Sequence, residues 1–238
     1  MIEQERLVPY LNSLEQPESA LLSGIRREAV ADGVPIIREE TAALLRFFVR
    51  ERRPARILEV GTAVGYSALV MAEQMPEACT ITTMEKYEKR IPEAKKNFAA
   101  SEYEDRIRFL TGDATEILQQ LPEMEKYDFL FMDAAKAQYL SWLPLLLRVA
   151  APHALILSDN VLQDGDVVES RFAVTRRNRT IHRRMRNYLY TLKHTEGLST
   201  LILPVGDGVA LSTVLDAAHA LQELECANQG DETIGIEQ

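Results

Sequence analysis

The stretch "RILEVGTAVGYSALVMA", residues 56–72, shows most clearly how the chain is built. "RILEV" is a short apolar run closed by glycine, too brief for a stable helix, and reads as a buried strand. "GTAVG" is a glycine turn, and "YSALVMA" carries the composition of a helix. Strand, glycine turn and helix in that order open a βαβ unit.

The same rhythm extends downstream. "CTITTME" (79–85) predicts a second strand and "KRIPEAKKNFAAS" a second helix. "IRFLTGD" (107–113), "ATEILQQL", "YDFLFMDA" (127–134), "YLSWLPLLLRVA" and "ALILSDN" (154–160) continue the alternation. Strands alternating with helices predict an α/β fold with a mostly parallel sheet covered on both faces. Near the end, "GLSTLILPV", "GDG" and "VALSTVL" predict two strands joined by an Asp-Gly turn, an antiparallel hairpin added to the sheet. Upstream, Leu7, Leu11, Leu14, Leu21, Leu22 and Ile25 recur at helical spacing, and "EETAALLRFFVRERR" (39–53) predicts a helix stopping before Pro54. The expected organisation is amino-terminal helices over 1–52, serving as cofactor lid and dimer contacts. A core follows over 53–216, with a basic insertion at 164–196, then a helix and polar tail over 217–238.

With 46% hydrophobic and 26% charged residues among 238, the chain has the composition of a soluble globular protein. No apolar run approaches the roughly 18 residues of a membrane span, and the amino terminus lacks a signal-peptide core. Cys79 and Cys226 stand apart from any Cys or His cluster, which predicts neither disulfide nor zinc and fits a cytoplasmic location. A net charge of −9 argues against general affinity for nucleic acid or anionic membranes.

Three strand ends carry a first set of candidate residues. Glu59, Gly61 and Gly65 follow a Glu-x-Gly-x-x-x-Gly spacing, which differs from the Gly-x-Gly-x-x-Gly of dinucleotide folds. The glycines admit close backbone approach, and the acid suits a cationic amine rather than a phosphate. Glu85, at the end of the second strand, is placed to accept from the two hydroxyls of a ribose. Gly112-Asp113 ends the third, where an adenine edge would lie. An adenosine cofactor with a cationic end is expected, and S-adenosylmethionine meets that description.

A second set is Asp133 and Lys136 in "MDAAKAQY" with Asp159-Asn160 in "LSDN". Two carboxylates and an amide carbonyl make a hard oxygen site suited to Mg²⁺ or Ca²⁺. An Asp at a strand end also serves simply as a helix cap. A divalent ion there would lower the pKa of a substrate hydroxyl, with Lys136 accepting or steering its proton.

"ILEVGTAVGYSALVMA", "DAAKAQY", "SDNVL" and "LPVGDGVALS" together resemble the divalent-metal-dependent O-methyltransferases of the catechol and caffeoyl-coenzyme A type. The resemblance covers about residues 28–215. It implies a Rossmann-like class I methyltransferase fold with a seven-stranded sheet, S-adenosylmethionine and Mg²⁺. It implies Asp133, Asp159 and Asn160 as metal ligands, Lys136 with Asp133 as catalytic residues, and Glu85 as the ribose acid. It further implies cofactor contacts at Glu59, Gly61, Gly65, Ser67, Asp113 and Asp133. Family members often pair, so a homodimer is expected.

Between Asn160 and Gly197 lies "RFAVTRRNRTIHRRMRNYLYTLKHT" (171–195), with seven arginines, one lysine and no carboxylate. Arg176, Arg179, Arg183 and Arg186 fall at helical spacing, flanked by Arg177 and Arg184, opposite an apolar stripe of Ile181, Met185, Leu189 and Leu192. Without acids to offset it, such a run favours an anionic partner. Nucleic acid, a phosphorylated substrate such as a coenzyme A ester, or a solvated structural helix all remain open. "VTRRNRTIHRRMRNYLYTL" with "LPVGDG" is similar to the tRNA 5-hydroxyuridine methyltransferases of this family. That implies binding of the tRNA anticodon loop by the six arginines and conversion of wobble 5-hydroxyuridine to 5-methoxyuridine. The alternative is a small-molecule catechol-type acceptor; a non-catalytic RNA-binding module would have little use for the intact Asp133, Lys136, Asp159 and Asn160.

Overall fold

A computed structural model describes residues 4–170, 172–176 and 178–231. The seven strands form one sheet in the order β3-β2-β1-β4-β5-β7-β6. They are β1 (Arg56–Val60), β2 (Thr80–Glu85), β3 (Ile107–Thr111), β4 (Tyr127–Met132), β5 (Ala150–Ser158), β6 (Leu198–Leu203) and β7 (Val209–Val214). The helices are α1 (Gln4–Asn12), α2 (Ala20–Ala31), α3 (Glu39–Arg52), α4 (Tyr66–Ala72), α5 (Ile91–Ala99), α6 (Ala114–Gln120), α7 (Tyr139–Val149), α8 (Arg179–His194) and α9 (Ala217–Asp231). The expected α/β Rossmann-like architecture is the one observed. None of these helices is long and apolar enough to cross a membrane. The chain divides into two compact units, 1–114 and 115–238.

In the first unit β1, β2 and β3 pair in parallel. Ile57, Leu58 and Val60 of β1 are fully buried, as expected of a strand covered on both faces. All seven residues of α4 are buried too. Each large apolar side chain so enclosed contributes roughly 1.5–3 kcal/mol. Ser19 caps α2, its hydroxyl accepting from the Leu22 amide at 3.2 Å. Arg53, in left-handed conformation at φ 49°, ends α3 just before Pro54.

Glu18 ties the amino-terminal helices to α4. Its carboxylate accepts from Arg26 of α2, from Arg46 of α3 at 2.6 Å and from the Tyr66 hydroxyl. Burial alone would raise the Glu18 pKa. Hydrogen bonds from Arg26, Tyr66 and Arg46 outweigh it and hold the carboxyl below its ordinary value.

In the second unit β4 and β5 pair in parallel, while β7 pairs antiparallel with both β5 and β6. The hairpin is therefore present, but its connection spans residues 204–208, longer than a two-residue Asp-Gly turn.

Candidate active site

In the first unit the candidate cofactor residues gather at the carboxyl ends of three neighbouring parallel strands. Glu59 lies inside β1, fully buried. One of its oxygens accepts from the Ser67 hydroxyl and the other from Thr83, each at 2.5 Å. A buried carboxylate is costly unless hydrogen-bonded, and these hydroxyls meet that need. Glu59 and Ser67, eight residues apart, are thus brought together by the turn between them. At that turn the Gly61 and Thr62 amides donate to the Met84 carbonyl of β2 at 3.2 and 3.1 Å. Glu85 has its carboxylate fixed at the tip of β2, where Ala63, Lys86 and Tyr87 amides donate to it at 2.8 Å each. Gly112 donates to the Glu85 carbonyl, and Asp113 beside it faces Lys86 at 3.3 Å.

Gly61 and Gly65 have φ of 104° and 84°, a region glycine enters without strain. The room beside Gly65 is taken by protein: a Cβ there would stand 2.6 Å from Phe98 Cε1. Asn97, next to Phe98, donates to the Val64 carbonyl at 2.8 Å and holds the same turn. The sequence does not reveal either residue, because "KKNFAAS" reads only as a helix and their partners lie some thirty residues away.

In the second unit Asp133, Lys136, Asp159 and Asn160 converge. Lys136 Nζ is 3.7 Å from Asp133 Oδ1 and donates to Asn160 Oδ1 at 3.0 Å. Asp159 is buried, and its Oδ1 accepts from the Asn160 amide at 2.8 Å. Asn160 itself is left-handed at φ 57°, a conformation asparagine tolerates better than most residues. Burial raises the Asp133 pKa, and the Lys136 charge works against that rise.

Tyr139, wholly buried, braces this cluster. Its hydroxyl is 3.2 Å from the Met132 and Asp159 carbonyls and accepts from the Ala134 amide at 3.2 Å. Burial, with the Asp133 charge adding to it, keeps that hydroxyl protonated. The two strand ends are thereby tied at fixed separation. Among the described residues no three His, Cys, Asp or Glu side chains form a metal cluster. The oxygens that could hold a hard cation are those of Asp133, Asp159 and Asn160; of these Asp133 and Asn160 already face the Lys136 ammonium.

The family model for O-methyltransferases matches residues 12–215. The chain belongs to the O-methyltransferase family. A catechol O-methyltransferase of Niastella koreensis is 33% identical to this methyltransferase over 164 residues, 67% of this chain and 74% of that one. Caffeoyl-CoA O-methyltransferase 1 of Eucalyptus globulus is 34% identical over 165 residues, 65% and 64% of the two chains. A Staphylococcus aureus structure assigned as a caffeoyl-CoA O-methyltransferase superposes with a TM-score of 0.78 at 28% identity, covering 88% of this chain and 98% of that one. A Bacillus cereus O-methyltransferase with SAH shares the fold, with a TM-score of 0.78 at 23% identity, over 88% and 97% of the chains.

The methyltransferase's arginines divide differently from the expected stripe. Helix α8 starts at Arg179, so Arg176 precedes it, and Arg177 lies outside the described residues. The buried face is His182, Met185, Tyr188 and Leu192, whereas Ile181 and Leu189 are only half-buried. Polar anchors set that rotation. Tyr188 Oη shares a 2.6 Å hydrogen bond with Ser158, and His182 sits 3.2 Å from the Glu169 carbonyl. Arg179, Arg184 and Arg186 donate to the carbonyls of Val174, Ala137 and Val167. Arg176 and Arg183 are exposed, with no such bond to another described residue.

Proposed function

We propose that this chain transfers the methyl group of S-adenosylmethionine to one oxygen of an acceptor bearing two neighbouring oxygens, with a catechol-type small molecule as the leading acceptor class. Glu59, Gly61, Gly65, Ser67, Glu85 and Asp113 are read as the cofactor contacts. The observation that carries the reading is Lys136 Nζ set against Asp133 and Asn160 oxygens beside buried Asp159. That donor set contains no histidine and fits Mg²⁺, which when bound polarises the acceptor hydroxyl. Asp133, Asp159 and Asn160 would hold it. Lys136 takes or steers the hydroxyl proton, the freed oxygen forms its bond to the methyl carbon, and the carbon–sulfur bond breaks to release S-adenosylhomocysteine. Fixing both partners in line supplies much of the acceleration. The names of the relatives, catechol and caffeoyl-CoA methyltransferases, favour the small-molecule acceptor.

A second reading keeps the chemistry and changes the acceptor to 5-hydroxyuridine in a tRNA anticodon loop, where the 5-hydroxyl adjoins the O4 carbonyl. Exposed Arg176 and Arg183, on a segment without carboxylates, favour it. Incubation with labelled S-adenosylmethionine and Mg²⁺ decides between them. The first reading expects label on catechol or caffeoyl-CoA and none on hydroxyuridine-bearing tRNA; the second expects the reverse. Exposed Tyr10, Leu11 and Leu14 support pairing of the amino-terminal helices with a second copy, which sedimentation of the purified chain tests.

A further inference from the structure

The structure assigns to Asp207, in the β6–β7 turn, the role of a positioning residue that fixes which end of the Asn160 carboxamide faces Lys136 and the cluster. Asp207 Oδ2 accepts from Asn160 Nδ2 at 3.1 Å, while Asn160 Oδ1 accepts from Lys136 Nζ at 3.0 Å. The amide therefore lies between a carboxylate and an ammonium. Rotating it by half a turn would set its NH₂ against the ammonium and its oxygen against the carboxylate, two repulsions in place of two charge-assisted bonds.

Side-chain rotation is the freedom that remains at Asn160, because its backbone is held on both sides. The Asp159 amide donates to the Met132 carbonyl at 2.9 Å, and the Val161 amide to the Gly208 carbonyl at 2.9 Å. The Leu162 amide donates to the Asp207 carbonyl at 2.8 Å, so the turn carrying Asp207 is stitched to the segment carrying Asn160. Gly208 is part of the same fit: at φ 87°, a Cβ there would stand 2.2 Å from Leu162 Cγ. A carboxylate behind an oxygen donor is the arrangement by which outer contacts orient ligands and raise their affinity.

The role rests on the reading of Asn160 as an oxygen donor, and it is tested on the full chain by titrating Mn²⁺ under electron paramagnetic resonance. Asp207→Ala should weaken Mn²⁺ binding by about ten- to a hundred-fold. Asn160→Asp should also weaken it while Asp207 is present, since two carboxylates then face each other. In the Asp207→Ala background the same change should strengthen binding, because a carboxylate presents oxygen whichever way it turns. An equal effect of Asn160→Asp in both backgrounds would overturn the role, leaving Asp207 only a turn residue. If the unmodified chain binds no Mn²⁺, the metal reading fails while the orienting role still has its own measurement. Solvent exchange of the Asn160 side-chain amide protons by NMR should be slow in the unmodified chain and fast in Asp207→Ala. Exchange at the rate of a free amide in the unmodified chain would overturn the role, whether or not the alanine variant folds.

Discussion

Arg184 of α8 donates from its guanidinium to the Ala137 carbonyl at 2.9 Å, in the turn that also carries Lys136. One arginine of the basic segment therefore supports the turn that carries Lys136, whereas Arg183 beside it is exposed. Loss of a charged donor of this kind costs about 1–3 kcal/mol where it is shielded and less at an exposed site. Arg184→Ala should lower kcat a few-fold toward any acceptor, measured at saturating substrate. Arg183→Glu should leave kcat toward catechol unchanged and weaken only a polyanionic acceptor. Equal effects of the two variants on catechol turnover would contradict this division.

Glu18 makes the first unit sensitive to acid. Its pKa is held below the ordinary 4.5, so its contribution to stability is present above that value and is lost as pH falls through the depressed one. Glu18→Gln should destabilise the protein by about 1–3 kcal/mol at neutral pH by weakening the pairing of Arg26 and Arg46. Thermal melting should show a gap between the two proteins at pH 7 that closes progressively below pH 4.5. A gap that stays constant down to pH 3 would mean that the carboxylate charge is not what binds these helices.

Gly65→Ala meets two penalties, a left-handed φ of 84° and the Phe98 ring 2.6 Å from the new carbon. Backbone strain of this kind costs on the order of 1–3 kcal/mol. The variant should melt lower and bind S-adenosylmethionine more weakly in calorimetric titration. Adding Phe98→Ala should relieve the collision but not the strain, so the double variant should recover only part of the loss attributable to Gly65. Melting of Gly65→Ala at the unmodified temperature would contradict the account of the turn.

Much of this arrangement is legible in the residues because buried parallel strands leave a simple trace. "RILEV" and "YDFLFM" read as strands since both faces are covered, and Gly61, Glu85, Asp133 and Asp159 follow as strand-end residues. What stays hidden depends on partners far along the chain. Asp207 reads as turn chemistry in "GDG", yet its carboxylate meets Asn160, 47 residues earlier. The Gly65 turn looks open until Phe98 is seen beside it. On α8 apolar spacing selects Ile181 and Leu189 for the buried face, whereas hydrogen bonds at Tyr188 and His182 turn the helix another way. Counting apolar residues alone misses buried Tyr and His, which satisfy both packing and hydrogen bonding.

The proposed reaction is methyl transfer to an oxygen at the cluster of Asp133, Lys136, Asp159 and Asn160. Its most direct test is label transfer from S-adenosylmethionine to a catechol by the unmodified protein and by Asp159→Ala, each with Mg²⁺ and with EDTA. Transfer should occur with the unmodified protein in Mg²⁺, cease in EDTA, recover when Mg²⁺ is restored in excess, and be absent with Asp159→Ala. Full transfer in EDTA, or undiminished transfer by Asp159→Ala, would contradict it.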